Sequence, residues 1–308
     1  MNLNLTHLQN FIQVVEWGNV SKAATYLNIA QPALSRQMQA LEAAFNTKLL
    51  QRRNWGVEPT EDGKLLLDHA RRIQKECLSA RESVRSNREN PAGSVYLGVP
   101  SAYSVSLVPP LIRRMRELYP NIEVHIVEGF SRAIYEWLAN GRLDLAILYR
   151  TKEIDVERSS PFLFEELVML STPGQFSDAT GMALADLSER KVIAPWRPHF
   201  LRQILDAKFM EVDVPFVPRL EIDSMRCMIE MARLGEGVVI LPPSCVAREI
   251  SDGRLNAVSL APRIGLETVL GETPGRHPTR ASAILADVLV DLASDLAPTM
   301  GWTVSAGA

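Results

Sequence analysis

Apolar residues recur along this chain with two different rhythms, and the change between them divides it. Near the N-terminus Leu8, Phe11, Ile12 and Val15 keep an i, i+3, i+4, i+7 spacing, which places them on one face of a helix from Leu5 to about Trp17. Gly18-Asn19 stops it, and Ser21 is positioned to cap a short second helix, Lys22 to Leu27, whose Ala23 and Ala24 allow close packing. After a brief turn at Asn28-Ile29-Ala30, Pro32 suits the first turn of a third helix. Leu34, Met38, Leu41 and Phe45 turn that helix's stripe inward and leave Gln31, Ser35, Arg36 and Gln39 outside. Lys48 to Arg53, then Asn54-Trp55-Gly56 and Val57 to Thr60, read as a small β-wing with a basic strand that holds Arg52 and Arg53. Thr60, followed by Glu61 and Asp62, caps a long helix that runs to about Arg88. On it Leu66, Ala70, Ile73, Cys77, Ala80 and Val84 form a narrow seam, suited to a partner helix or to the chain's own body. Asn90-Pro91-Ala92-Gly93-Ser94 ends it.

From residue 95 strands and helices alternate. Strands are expected at Val95 to Val99, Ile122 to Val127, Leu143 to Leu148, near Val192, at Phe216 to Ile222, Val238 to Leu241 and Leu266 to Leu270. The helices between and after them fall at Leu107 to Tyr119, Ser131 to Asn140, Phe200 to Glu211, Met225 to Leu234 and Ala281 to Leu296. Such alternation implies a mostly parallel sheet with helices on both faces. The fold class is therefore α/β with an all-α N-terminal head. The expected organisation is a winged helix-turn-helix at 1–59, a linker helix at 60–90 and a two-lobed body at 91–308. Its first lobe takes about 91–164 and 266–308, its second about 165–265.

A short helix, a tight turn and a helix with a polar outer face make the layout of a helix-turn-helix, whose second helix reads the major groove; a plain helical bundle with a solvated face has the same spacing. The residue types suit base reading. Arg bonds guanine twice, Gln does so for adenine, and Ser suits a base or a phosphate. A basic hairpin beside such a helix lies against phosphates or the minor groove. In the body, ligands of open α/β folds sit at strand ends and at the N-termini of the following helices. Those junctions hold Ser101, Ala102 and Tyr103, then Phe130 and Ser131, then Trp196, Arg197 and His199, then Asp223 and Ser224. Each has a plainer role open to it: the serines as helix caps, Trp196 as core, Arg197 and His199 as loop residues. Helix N-termini together with Arg197 favour a small organic anion, a carboxylate or sulfonate, between walls of Tyr103, Phe130 and Trp196. Asp223 leaves an amine or an amino acid possible.

The run from Ser21-Lys22-Ala23-Ala24 through Ala30-Gln31-Pro32-Ala33-Leu34-Ser35-Arg36-Gln37, and the later Pro59-Thr60-Glu61-Asp62-Gly63, resembles the head of LysR-type transcriptional regulators. The runs LVPPLIRRMRELYP, EGFSRAIYEWLANGRLDLAI and GEGVVILPPSCVAREI are similar to that family's effector domain, itself like periplasmic solute-binding proteins, with the nitrogen-assimilation-control branch nearest. The resemblance implies that Ser21, Lys22, Gln31, Pro32, Ser35 and Arg36 belong to the DNA-facing set, with Gln31, Pro32, Ser35 and Arg36 toward the bases. It implies that Arg53 reaches the backbone or minor groove, and that Ser101 and the next residue face an effector. Glu58 departs from the pattern by placing a negative charge near the wing. The implied partners are double-stranded DNA, a small-molecule effector and further copies of the chain, as a homodimer or a dimer of dimers.

Composition changes this picture little. The chain has 308 residues, 46% hydrophobic and 22% charged, and a formal net charge of −3. The charge is unevenly placed: residues 1–90 carry +3 and the remainder −6, a mildly basic head on an acidic body. No apolar run is long enough for a bilayer, and the N-terminus lacks the features of a signal peptide, so a cytoplasmic protein without membrane contact is expected. Cys77, Cys227 and Cys245 form no CxxC pair, and the histidines at 7, 69, 125, 199 and 277 have no metal-like spacing. Gly235-Glu236-Gly237 precedes a strand, the wrong order for a dinucleotide loop, and no HExxH, P-loop or GxSxG occurs. No cofactor and no catalytic residue is expected. A thiol redox sensor using Cys227 and Cys245, or an enzyme carrying a DNA-binding head, are the rival readings.

Overall fold

The head is assembled from short elements closed by backbone caps. The structure is a computed structural model describing residues 3–85, 90–151, 156, 158–176, 181–275 and 277–304, the side chains of 79 and 81–85 excepted. Helix α1 (Leu5–Trp17) buries Leu8, Phe11, Ile12 and Val14 and stops at Gly18, whose φ of 58° a Cβ would penalise. The cap of α2 (Val20–Tyr26) is Asn19, not Ser21: its side chain accepts from Ser21 N and Lys22 N. Helix α3 (Gln31–Phe45) carries Pro32 in its first turn and buries Leu34, Met38 and Leu41. Strands β1 (Leu50–Arg53) and β2 (Gly56–Pro59) pair antiparallel, Arg53 opposite Gly56. Val57 N donates to Gly18 O at 2.8 Å, and a Cβ on Gly56 would run into that same carbonyl oxygen. The wing is thereby docked on the end of α1. Thr60 caps α4 (Glu61–Arg85), its hydroxyl accepting from Gly63 N at 3.0 Å and donating to Lys48 O at 2.6 Å.

The seam on α4 divides. Leu66 and Ala70 are 8% and 1% exposed and belong to the head's own core, with Ile73 packed against it. Those positions are consumed inside one chain, because α4 covers α1 and buries its apolar face there. Cys77 is half-buried and Ala80 exposed, and the neighbouring Leu78 is 51% exposed. The side chain of Val84 lies outside the described residues.

Residues 1–87 fall in one compact unit, and almost all later residues in a second. The second holds two six-stranded sheets. In chain order its elements are β3 (Gly93–Pro100), α5 (Ser101–Leu118), β4 (Ile122–Gly129), α6 (Ser131–Ala139), β5 (Leu145–Tyr149), β6 (Ser159–Glu166), β7 (Val168–Ser171), β8 (Met182–Ala183) and α7 (Leu184–Leu187). There follow β9 (Val192–Ala194), α8 (Phe200–Glu211), β10 (Leu220–Glu221), α9 (Met225–Arg233), β11 (Val238–Leu241), a 3₁₀ turn (Pro243–Val246), α10 (Ala247–Ser251), β12 (Asn256–Ala261), β13 (Gly265–Glu272), α11 (Arg280–Met300) and β14 (Thr303–Val304). One sheet runs β14-β6-β13-β5-β3-β4 and the other β10-β9-β11-β7-β12-β8.

The sheets are mixed rather than mostly parallel. Strand β13 returns antiparallel to β5 and β6, and β7 lies antiparallel to β11 and β12. The chain passes between sheets at β6–β7 and at β12–β13, and the two crossings are bonded to each other, Leu167 N to Ile264 O at 2.8 Å. Helix α5 begins six residues earlier than its apolar rhythm predicts and accommodates Pro109 and Pro110. The expected strand at Phe216 to Ile222 shrinks to Leu220–Glu221.

Candidate DNA-binding face and effector cleft

The outer face of α3 carries the chemistry its pattern predicts. Gln31, Pro32, Arg36 and Gln39 are exposed, Ser35 is half-buried, and Gln31 Nε2 donates to Ser35 Oγ at 3.3 Å. Behind this face Asn10 Nδ2 donates to Gln37 Oε1 at 2.6 Å, tying α3 to α1. Ser21, Lys22 and Arg52 are exposed, and among the described residues Lys22, Arg36 and Arg52 have no ion-pair partner. Arg53 differs. Its Nε lies 3.3 Å from Glu58 Oε2, and Glu58 Oε1 accepts from Trp55 Nε1 at 3.1 Å. The residue that departs from the family pattern thus holds both the wing arginine and the indole of the wing turn.

In the body, four strand-to-helix junctions meet around one cavity of about 340 Å³. The N-terminal turns of α5, α6, α8 and α9 contribute Ser101 and Ala102, Ser131, His199, and Asp223 with Met225. Pro100 precedes α5 and offers no side-chain cap, so the first N–H groups of this 18-residue helix face the cavity uncapped. Ser101 Oγ donates to Glu128 Oε1 at 2.8 Å. Phe130 and Trp196, 51% and 57% exposed, form walls.

Two aromatic pairs bridge the lobes at this cavity. Phe130 meets His199 edge-on with centroids 5.3 Å apart, and Tyr149 stacks on Phe200 at 4.5 Å and 14°. His199 Nδ1 accepts from Leu201 N at 3.1 Å and caps α8, which leaves the proton of the neutral ring on Nε2. Burial lowers the His199 pKa below its usual value, only partly offset by Asp223.

Three expected pocket residues lie elsewhere. Tyr103 is 0% exposed and belongs to the core, because it points to the opposite side of α5 from Ser101. Ser224 caps α9 through Cys227 N instead of lining the cavity. Arg197 is turned away: its Nε donates to Asp206 Oδ2 at 2.8 Å, while Arg202 holds Oδ1 at 2.9 Å. Burial opposes ionisation of Asp206, but the two guanidiniums outweigh it and keep the carboxyl below its usual range. Arg202 is also bonded to Pro195 O and Glu221, so it ties α8 to the loop and to β10 behind the pocket.

Sequence reasoning missed Arg132, Tyr135, Glu136, Tyr149, Phe200 and Gln203 in the lining. Phe200 and Gln203 occupy the first turn of a correctly expected helix, and Tyr149 closes an apolar strand, so extending each junction by one turn would have found them. Cys227 is exposed, whereas the Cys245 thiol donates to Pro242 O at 2.9 Å and burial pushes its pKa well up. For Cys245 that is the reverse of the environment that activates a redox thiol.

Comparison with known proteins agrees with both halves. The profile described as "Bacterial regulatory helix-turn-helix protein, lysR family" matches residues 5–64, and the "LysR substrate binding domain" matches residues 88–294. The chain is 32% identical over 250 residues to the nitrogen assimilation regulatory protein nac of Klebsiella aerogenes, covering 79% of each. It is 29% identical to the HTH-type transcriptional regulator BbuR of Bordetella bronchiseptica, covering 89% of this chain and 84% of that one. A full-length OxyR variant from Pseudomonas aeruginosa shares the fold at a TM-score of 0.73 and 20% identity, covering 95% of both chains. Full-length CbnR in complex with its target DNA does so at 0.68 and 20%, covering 95% of this chain and 99% of that one. No described helix is long and apolar enough to cross a membrane. A head and a body that both match, joined in this order along one chain, make this protein a member of the LysR family of DNA-binding transcriptional regulators.

Proposed function

We propose that this chain acts in the cytoplasm as a dimer that reads an operator with α3 and is switched by a small organic anion held in the cleft. One observation carries the ligand reading: the N-termini of α5, α6, α8 and α9 converge on a single cavity, α5 without a side-chain cap and α8 capped by a residue of the pocket itself, His199. Their partial positive charges add where no unpaired cation is needed. The aromatic walls fit a planar or apolar body. Asp223 and Glu136 at the rim favour a second reading, a zwitterion whose amine meets them.

Pairing through α4 is the natural complement to a helix-turn-helix, since two heads span two half-sites. The C-terminal half of α4, where Leu78 is exposed, supports that role better than Leu66 or Ala70; a dimer of dimers is the family arrangement.

Calorimetry with benzoate, short aliphatic carboxylates, sulfonates, amino acids and simple amines tests the pocket. Carboxylates are expected to bind the wild type, Asp223→Asn to bind them more tightly, and Arg197→Ala to bind them unchanged. Binding of amines alone would overturn the anion reading. For the head, Arg36→Ala is expected to cost ~1–3 kcal/mol on a selected operator while sparing random DNA. Equal loss on both would remove Arg36 from base reading.

A further inference from the structure

The wing turn presents an indole that the base-reading face does not use. Trp55 is 75% exposed, among the highest values for a large apolar side chain in the chain. It sits in the turn between Arg53 and Gly56, beside Arg52 and Asn54. The other exposed aromatics of the head, Trp17 and Tyr26, pack on each other with centroids 5.4 Å apart. Trp55 is held differently: its Nε1–H is anchored on Glu58, the carboxylate that also takes Arg53. The hairpin itself is fixed, with Val57 bonded to Gly18 O and Val57 and Leu50 packed on the head core. A flexible surface tryptophan would be free to fold back on apolar surface. This one is pinned outward on a rigid support, its ring faces in water and its polar edge satisfied.

From this arrangement we infer that Trp55 is a DNA contact of the wing, its ring packing on deoxyribose and the wall of the minor groove next to the phosphates met by Arg52 and Arg53. The inference rests on the DNA-binding reading of the head. The chemistry is complementary. Arginines on a hairpin supply charge to the backbone, and sugar rings offer apolar surface that an indole can cover. Such a contact carries no charge and releases no counterions, so it adds affinity without adding salt dependence. It also carries little sequence information. Glu58 then has a defined part: it orients Trp55 and keeps Arg53 close to the turn, at the cost of a negative charge near the backbone.

Fluorescence anisotropy tests this with the full chain, using a labelled mixed-sequence duplex of about 40 base pairs, long enough for two half-sites, and an operator selected in vitro with the wild type. Trp55→Ala is expected to weaken binding about tenfold on both duplexes. The slope of log affinity against log salt should stay unchanged, and Trp55→Phe should recover most of the loss. Arg53→Ala is the contrast, and should reduce that slope by about one. Equal affinity for Trp55→Ala and wild type overturns the inference, as does a loss that flattens the salt slope. An altered oligomeric state of Trp55→Ala in light scattering, with DNA affinity per dimer intact, would make the indole a protein contact and equally overturn it. Failure of the wild type to bind either duplex would instead count against the DNA-binding reading itself.

Discussion

Replacing Glu165 should show how strongly one buried carboxyl holds the two lobes at their crossing. Glu165 is 1% exposed and lies at the end of β6, where the chain leaves the first sheet for the second. Its Oε1 accepts from Ser244 Oγ at 3.1 Å, in the 3₁₀ turn behind β11 of the second sheet. Its Oε2 accepts from Trp302 Nε1 at 3.2 Å, beyond α11 on the first. Tyr103 Oη faces the same carboxyl without meeting it in hydrogen-bond geometry. In Glu165→Ala two buried donors lose their acceptor, at ~1–3 kcal/mol each, and a cavity opens, so a loss of about 3–5 kcal/mol is expected. For a body of this size that lowers its melting temperature by roughly 6–15 °C. Glu165→Gln is the counterpart. Its oxygen can accept from Trp302 and its amide donate to Ser244 Oγ, so at neutral pH the change should stay within about 1 kcal/mol.

The pH dependence has a definite sign. Burial raises the Glu165 pKa above 4.5, and the hydrogen bonds from Ser244 and Trp302 offset only part of it. Between 4.5 and the raised value the folded state binds more protons than the unfolded one. The wild type therefore loses stability from this group as pH rises through that window, and Glu165→Gln does not. Differential scanning calorimetry of both proteins from pH 4.5 upward reads the difference. A body transition lowered by less than ~2 °C in Glu165→Ala, or a wild-type-to-Gln difference flat across that window, would refute the reasoning.

Other perturbations follow from equally local features. Gly56→Ala drives a Cβ into Gly18 O and should undock the wing, weakening DNA binding while the body transition stays in place; an unchanged gel shift would contradict it. Ile73→Lys should unfold the head, since Ile73 packs on its core, whereas Leu78→Lys should leave the head folded and separate the dimer in light scattering. If Leu78→Lys remains the same oligomer, α4 does not pair through that face. His199, whose pKa burial lowers below 6.5, contributes stability that is complete above that value and declines as pH falls from it toward the folded-state pKa. His199→Asn keeps a capping side chain for α8 and should flatten that decline in thermal melts.

The head was legible almost residue by residue because its periodicity and its caps are local. The expected helix at Leu5 to Trp17 matches α1, and the third helix begins one residue after its capping Ala30. The miss at Asn19 was a choice between two good capping residues two positions apart. The body was legible where an element carries its own local pattern, as with α6, α8 and β11, and illegible where pairing is non-local. Strands β6 and β12 carry exposed residues at their ends and β7 is only four residues long, so their partners in the sheets define them. Arg197 failed as an anchor for a related reason. Its fate depends on Asp206, nine residues away on the next helix, and composition at the junction says nothing of it.

That reversal changes how the cleft must work. With Arg197 held by Asp206 and Arg132 at the rim bonded to Glu136, neither guanidinium near the cavity is reserved for the ligand. Specificity then falls to fixed dipoles and aromatic faces, which discriminate by shape more than by charge. The same faces join the lobes: Tyr149 and Phe200 line the cavity and stack across it, and Phe130 and His199 meet edge-on beside them. A ligand shifts an equilibrium only by the difference in its affinity for the two arrangements. One that slides between these rings trades ring–ring contact for ring–ligand contact at the very place where the lobes touch. One that binds only at the helix N-termini leaves both pairs intact and has little leverage on the lobes. Effective effectors of this protein should therefore be planar, and flexible carboxylates of equal charge should bind without switching it. Comparing DNA affinity with benzoate and with an aliphatic carboxylate, each at saturation, separates the two; equal shifts in DNA binding would show that charge alone moves the lobes.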